Sequence, residues 1–218
     1  MSFRILAHYS PTSNISTMPD GPDTDPVIVA TGFAPEERGR AAALFWQAFG
    51  AKLGPLLAPE DKAVAFLAGA LCPRHAISAR AADGRLLGIA GYKMGAGGLV
   101  GGGVNDLAKV YGWVGALWRG TLLSLLERRI APGTALVDGI FVDERARGQG
   151  VGSALVEEIK HRARQDGRKA VRLEVAERNT RARALYERHG FVALKTTRAG
   201  PARCLIGYRR SIEMLCDL

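Results

Sequence analysis

An apolar run from Leu136 to Val142 passes through a short polar link into Arg147-Gly148-Gln149-Gly150-Val151-Gly152, which opens a segment of helical period. No other stretch constrains the fold as much. The run reads as a strand, so the chain turns from strand to helix through a glycine-rich corner. Glycines at 148, 150 and 152 let the backbone approach a ligand closely. The first-turn N–H groups of the helix have no partner within it, and the helix dipole favours an anion there. Arg147 adds a permanent charge on a planar donor fork suited to phosphate. A phosphorylated ligand at this corner is the reading these residues support.

Spacing separates the known phosphate loops. A dinucleotide fingerprint beginning at Gly148 and Gly150 needs a third glycine where Ser153 stands, and the nucleoside-triphosphate loop needs a Gly-Lys pair that is absent. The pattern present is Arg-x-x-Gly-x-Gly, with Arg147, Gly150 and Gly152. Downstream, Ala170 to Val175 alternates like a strand, and Asn179-Thr180-Arg181-Ala182-Arg183-Ala184-Leu185-Tyr186-Glu187-Arg188-His189-Gly190-Phe191 follows. Both segments, and their separation, resemble the pyrophosphate loop and the Asn-x-x-Ala-x-x-x-Tyr-x-x-x-Gly-Phe segment of the GNAT superfamily of acyl-CoA-dependent N-acyltransferases. The resemblance runs from about Thr134 to Leu194.

That resemblance implies an α+β fold in three layers (α/β/α), with a mixed, mostly antiparallel central sheet splayed between its fourth and fifth strands. It implies acetyl-CoA as co-substrate and direct transfer of the acyl group to an amine while both are bound, with no metal. Arg147, Gly148, Gln149, Gly150, Val151, Gly152 and Ser153 would then grip the pyrophosphate through main-chain amides. Backbone at Ile140, Phe141 and Val142 would meet the pantetheine arm and the thioester. Asn179 would bind that arm or cap its own helix, with Ala182 beside it, and Tyr186 would protonate the departing thiolate; the alternative for Tyr186 is an aromatic packing anchor. The acceptor is a small amine, or a protein N-terminus or lysine; a CoA-binding regulator without transfer activity is the third reading.

An alkyl ammonium must lose a proton before it can attack, so a base is required. Asp138 is the candidate. It lies inside an apolar run two residues before Ile140, hence on the same strand face. The rival is a structural role, a strand carboxylate paired with a nearby cation. Glu174 on the next strand is a second candidate base.

The remaining sequence reads as one domain, residues 26–218, behind a polar arm, residues 1–25, that lacks the basic start and apolar centre of a secretory signal. Met18 is an alternative start. Val27 to Thr31 is a strand, Pro35 to Phe49 and Pro59 to Leu71 are helices, and Ile77–Ala81 with Leu86–Lys93 form a hairpin at Asp83-Gly84. Gly95 to Gly103 is a loop. Residues 104–130 form one long or two short helices inserted between the third and fourth strands, where members of the family usually have a turn. Three uses stay open for it: core packing, a roof on the acceptor site, or a homodimer contact. Helices at Gly150–Gln165 and Thr180–His189 and strands at Phe191–Thr197 and Cys204–Ser211 complete the order.

Composition excludes several classes. The three cysteines, Cys72, Cys204 and Cys216, are far apart and odd in number, which points to reduced thiols in the cytoplasm rather than a disulfide frame or a zinc site. The most apolar stretch, Leu99 to Leu126, is broken by Asp106, Lys109 and Arg119 and does not read as a membrane span. A net charge of +9 suits polyanionic CoA. Its arginines are dispersed rather than interleaved with aromatics, which argues against nucleic acid as a partner.

Overall fold

The computed structural model describes residues 26–124, 130–198 and 210–218. Seven strands form one sheet: β1 (Ile28–Thr31), β2 (Ala76–Arg80), β3 (Leu86–Lys93), β4 (Thr134–Val142), β5 (Ala170–Ala176), β6 (Val192–Arg198) and β7 (Arg210–Asp217). Their order across the sheet is β1-β2-β3-β4-β5-β7-β6. Every neighbouring pair is antiparallel except β4 and β5. That one parallel pair needs a crossover, and α4 (Val151–Gln165) supplies it.

Helices cover both faces. On one, α4 sets Val151, Leu155, Ile159 and Ala163 into a core with Val137, Val171, Leu173 and Met214, and α5 (Thr180–Arg188) adds Tyr186. On the other, α1 (Arg38–Leu57), α2 (Glu60–Ala70) and α3 (Val104–Ser124) enclose a second core that includes Leu44, Phe45, Leu67, Ile89, Leu107 and Phe141. This is the expected three-layer α+β arrangement, helices on each side of a mixed sheet.

Local signals explain the element ends. Gly84, at φ +85°, makes the hairpin turn, and the Asp83 carboxylate accepts from the Arg85 amide. Asp166 ends α4, and Gly167 at φ +67° lets the Arg168 amide turn back to the Ala163 carbonyl.

Three elements differ from expectation. α1 continues past Phe49 to Leu57 in spite of Gly50, Gly54 and Pro55, because Leu56 and Leu57 are almost fully buried against the second core. Burial there outweighs poor local propensity. The inserted α3 is broken at Gly112, whose φ of +69° and ψ of 166° are not helical; Leu107 and Ala116 pack into the core. Residues 125–129 of the predicted insertion lie outside the described residues, and Ile130 is not helical. The last strand, Arg210–Asp217, runs on past the expected end at Ser211, since Ile212, Met214 and Cys216 alternate inward onto the first core; residues 204–209 of the expected strand lie outside the described residues.

Candidate functional site

β4 and β5 pair only at Thr134↔Ala170, Ala135↔Val171 and Leu136↔Arg172. Beyond Leu136 the strands part, although β4 runs on to Val142 and β5 to Ala176. The sheet is therefore splayed, with one edge of Val137–Val142 unpaired by any strand among the described residues. Backbone at Ile140, Phe141 and Val142 lies along this opening.

The glycine corner follows directly. A short 3-10 turn, Glu144–Ala146, is capped by Asp143, whose carboxylate accepts from the Arg145 amide at 3.0 Å. That amide bond is the main reason Asp143 stays ionised below its ordinary range; burial opposes it, and the Arg40 guanidinium of α1, which also bonds the carboxylate, adds to it. Neither Arg40 nor Asp143 stands out in the sequence, yet together they fix the corner to α1. Gly148 and Gly150 sit at φ +90° and +78°, in the left-handed region that only glycine enters cheaply. Gly150 is the N-cap of α4 and offers no side chain to the first-turn amides. A Cβ at Gly150 would meet nothing of the protein within 4 Å, so the cradle is open. Gly152 also has a packing role: a Cβ there would lie 3.1 Å from Leu185, so its small size lets α5 close on α4. Val151 is buried, while Arg147, Gly148 and Gln149 are exposed and Ser153 is partly so. Arg147 pairs with Glu144 at 3.3 Å.

A second guanidinium attends this corner. The Arg181 Nη2 atom lies 3.8 Å from where a Gly148 Cβ would stand. The sequence motif leaves this position unspecified, so only the packing of α5 on α4 reveals it. Asn179 caps α5, its Oδ1 accepting from the Ala182 amide at 3.1 Å. Tyr186 is buried near Phe191, ring centroids 5.8 Å apart. Desolvation pushes its phenol up to about 12.

Asp138 is not on the face of Ile140, and the correction has a plain cause. The β3–β4 register slips between Gly91 and Tyr92: Gly91 opposes Gly139 while Tyr92 opposes Val137. Asp138 is the extra residue of a β-bulge, which breaks the alternation. Val137, Ile140 and Val142 consequently pack on the α4 side, whereas Asp138, Gly139 and Phe141 face α1 and α2. There Asp138 accepts from the Leu99 amide at 3.1 Å and lies 3.8 Å from the Lys93 ammonium. Glu174 alternates with the inward Leu173 and Val175 and so sits on this same face.

The bulge opens onto a cavity of about 560 Å³ beneath α1, α2 and α3. Phe45, Phe49, Phe66 and Leu107 line it, with Lys52, Lys93 and Asp138 as the charged groups. A Gly139 Cβ would stand 2.8 Å from the Phe49 ring, so the missing side chain is what seats that ring on the bulge. Residues 97–103 form part of the wall and are held in place: the Cys72 amide donates to the Leu99 carbonyl, the Gly101 amide donates to the Ala70 carbonyl, and Leu71 bridges Val100. α3 therefore packs in the core and roofs the cavity at once.

Among the described residues, no group of three His, Cys, Asp or Glu could hold a metal ion, and no helix is long and apolar enough to cross a membrane.

A splayed sheet, a glycine corner opening the crossover helix and a pocket on the far face define an acyltransferase scaffold. Residues 40–191 match the acetyltransferase (GNAT) family, and the chain belongs to it. It is an acyltransferase of the N-acetyltransferase type, in a family that uses acetyl-CoA. Solved structures share the fold. An acetyltransferase is 22% identical, with 87% of this chain and 98% of that chain covered and a TM-score of 0.59. A GCN5-related N-acetyltransferase from Kribbella flavida is 20% identical, over 88% and 98%, with a TM-score of 0.59. A ribosomal-protein-alanine N-acetyltransferase from Brucella melitensis is 15% identical, over 86% and 98%, with a TM-score of 0.55. No curated protein sequence matches the chain.

Proposed function

We propose that the chain transfers the acetyl group of acetyl-CoA to the primary amine of a small molecule, by direct attack with both substrates bound. The observation that carries this reading is the parting of β4 from β5 beside an open, amide-lined corner on one side and an apolar cavity on the other. Acetyl-CoA supplies an acyl group activated as a thioester. Every other step falls to residues of the chain.

The amides of residues 147–153 hold the pyrophosphate, with Arg147 and Arg181 neutralising its charge. The unpaired edge of Ile140, Phe141 and Val142 aligns the pantetheine arm and polarises the thioester carbonyl. Asn179 spends its side-chain oxygen on the α5 cap, which leaves its amide NH₂ to donate to the arm. Asp138 orients the acceptor ammonium and takes its proton, directly or through water, with Glu174 as the alternative base. The amine nitrogen then bonds the acyl carbon and gives up its second proton to solvent, the carbon–sulfur bond breaks, and Tyr186 donates a hydrogen bond to the sulfur as charge gathers there. With the phenol near 12 and an ordinary thiol near 8.5, complete proton transfer from Tyr186 is uphill by about 5 kcal/mol. Its contribution is therefore a hydrogen bond to the developing thiolate, ahead of proton delivery from solvent.

The test is amine-dependent release of the CoA thiol, measured with acetyl-CoA and a broad amine panel, beside calorimetry with CoA alone. Binding with amine-dependent release is expected. Binding without release from any amine would leave a CoA-binding regulator, and no binding would overturn the corner as a CoA site.

A further inference from the structure

We infer that the outward face of α3 is a docking surface for a second copy of this chain, the two helices meeting antiparallel across a two-fold axis. Inward, α3 packs Leu107 and Ala116 into the second core. Outward, after the break at Gly112, it presents Trp113, Val114, Leu117 and Trp118, which are 70%, 85%, 67% and 42% exposed. Val114, Trp113 and Leu117 are the three most exposed large apolar side chains among the described residues. The fold of a single chain gains little from them. Valine and tryptophan are poorer helix formers than alanine or lysine, and surface left in water contributes no burial.

The patch is also held in shape. The Arg119 guanidinium lies over the Trp118 ring at 4.3 Å and over the Tyr111 ring at 4.2 Å. It donates to the Leu56 carbonyl at 2.7 Å and to the Gly115 carbonyl at 3.2 Å. A Gly115 Cβ would stand 3.0 Å from Arg119 Nη1, so the glycine lets this clamp lie close along the helix. Trp118 is thus fixed before a partner arrives, which lowers the ordering cost of association. Tryptophan is also among the residues on which interfaces concentrate their binding energy.

Size and pattern select the occupant. Scaled by their exposures, the four side chains present on the order of 500 Å² of apolar surface, in the range of the largest patches on monomers. Two such patches face to face bury about 1,000 Å² from these side chains alone, which is where specific interfaces begin. The residues form two rows along the helix, Trp113 with Leu117 and Val114 with Trp118, each pair four apart. In an antiparallel copy each row meets its own reverse. Trp113 then meets the partner's Leu117, and Trp118 meets the partner's Val114, so every indole falls on an aliphatic side chain. A two-fold contact requires this self-complementarity. The four side chains are neutral, so none opposes its counterpart by charge. Pairing here braces from outside the helix whose inner side, with Leu107, Gly120 and Leu123, roofs the cavity.

The experiment is sedimentation velocity on the full chain from about 2 to 200 µM, where mass action would shift a monomer–dimer equilibrium, with tryptophan emission followed over the same range. A dimer is expected, and its emission maximum should move to shorter wavelength as it forms. Trp113→Glu and Leu117→Glu should each raise the dissociation constant at least tenfold, because each sets a carboxylate against an apolar row of the copy. Val192→Glu, at an exposed apolar position on β6, should leave it unchanged. Thermal melts of dilute protein confirm that the variants fold; Val114→Gln carries the same expectation should a glutamate variant not fold. A chain monomeric throughout the range, a dimer that persists in the α3 variants, or one that Val192→Glu weakens equally would overturn the assignment. Monomers that bind phosphatidylglycerol vesicles would overturn it as well, by giving the face to a membrane surface.

Discussion

Gly150→Ala separates backbone strain from loss of a ligand cradle, because the chain contains its own control. Gly150 and Gly167 both lie in the left-handed region, at φ +78° and +67°, and a Cβ at either would touch nothing within 4 Å. Alanine costs about 1–2 kcal/mol in that conformation. For a chain of this size that corresponds to a melting temperature lower by about 2–8 °C, the same for both substitutions. Only Gly150 stands at the leading end of α4, where the pyrophosphate would lie. A methyl group there pushes phosphate oxygens off the first-turn amides. Hydrogen bonds to charged groups contribute about 1.5–3 kcal/mol each, so losing two weakens binding by about 10²- to 10⁴-fold. Calorimetry with CoA and a thermal melt on both variants give the comparison. Equal CoA affinity in Gly150→Ala and Gly167→Ala would refute the cradle, whatever happened to stability.

Two further outcomes follow from the site. Tyr186→Phe removes the proposed hydrogen bond to sulfur and should lower kcat on the order of 10²-fold; because the folded phenol holds its proton to about 12, the factor should be the same at pH 7 and pH 9, and a wild-type rate that falls between those values would count against it. Asp143→Asn should cost about 1–3 kcal/mol at pH 7 and weaken CoA binding, since Asp143 ties the turn before the corner to Arg40. Its folded carboxyl is held below the ordinary range, so this stability is present above about pH 4 and is lost as the pH falls through the folded value. Melts at pH 7 and pH 3 should show the gap between variant and wild type shrinking in acid.

The corner was legible in the sequence because its signals are local. Glycines at forced φ values, a helix of 3.6 period behind them and a parallel crossover leave marks within thirty residues. What escaped depends on partners far away. Strand alternation puts Asp138 with Ile140 only if the ladder is regular, and the slip that separates them is set by Gly91 and Tyr92 on β3. The first helix reads in the sequence as ending at Phe49, whereas the buried neighbours of Leu56 and Leu57 carry α1 onward. The alternating residues of β7 find their inward face only once β5 and α4 are in place. Arg181 and the Arg40–Asp143 tie likewise exist through the packing of α5 on α4 and of α1 on β4, and no spacing in the chain encodes either.

The bulge also explains how one strand could serve both proposed substrates. A regular β4 would alternate its side chains strictly, and Asp138 would fall among the apolar residues packed beneath α4, where an unpaired carboxylate is costly. One extra residue sends Asp138 and Gly139 together to the opposite face. The carboxylate reaches the cavity, and the adjacent glycine leaves room for the Phe49 ring. Ile140 and Val142 keep their apolar contacts on the α4 side, so the edge beside the glycine corner is undisturbed. Substitutions in α1, α2 or α3 can therefore reshape the cavity proposed for the acceptor without touching the amides proposed to grip CoA. This separation predicts that changes at Phe49 or Phe66 act on the acceptor KM and leave the KM for acetyl-CoA in place, which steady-state kinetics with each substrate varied in turn would measure.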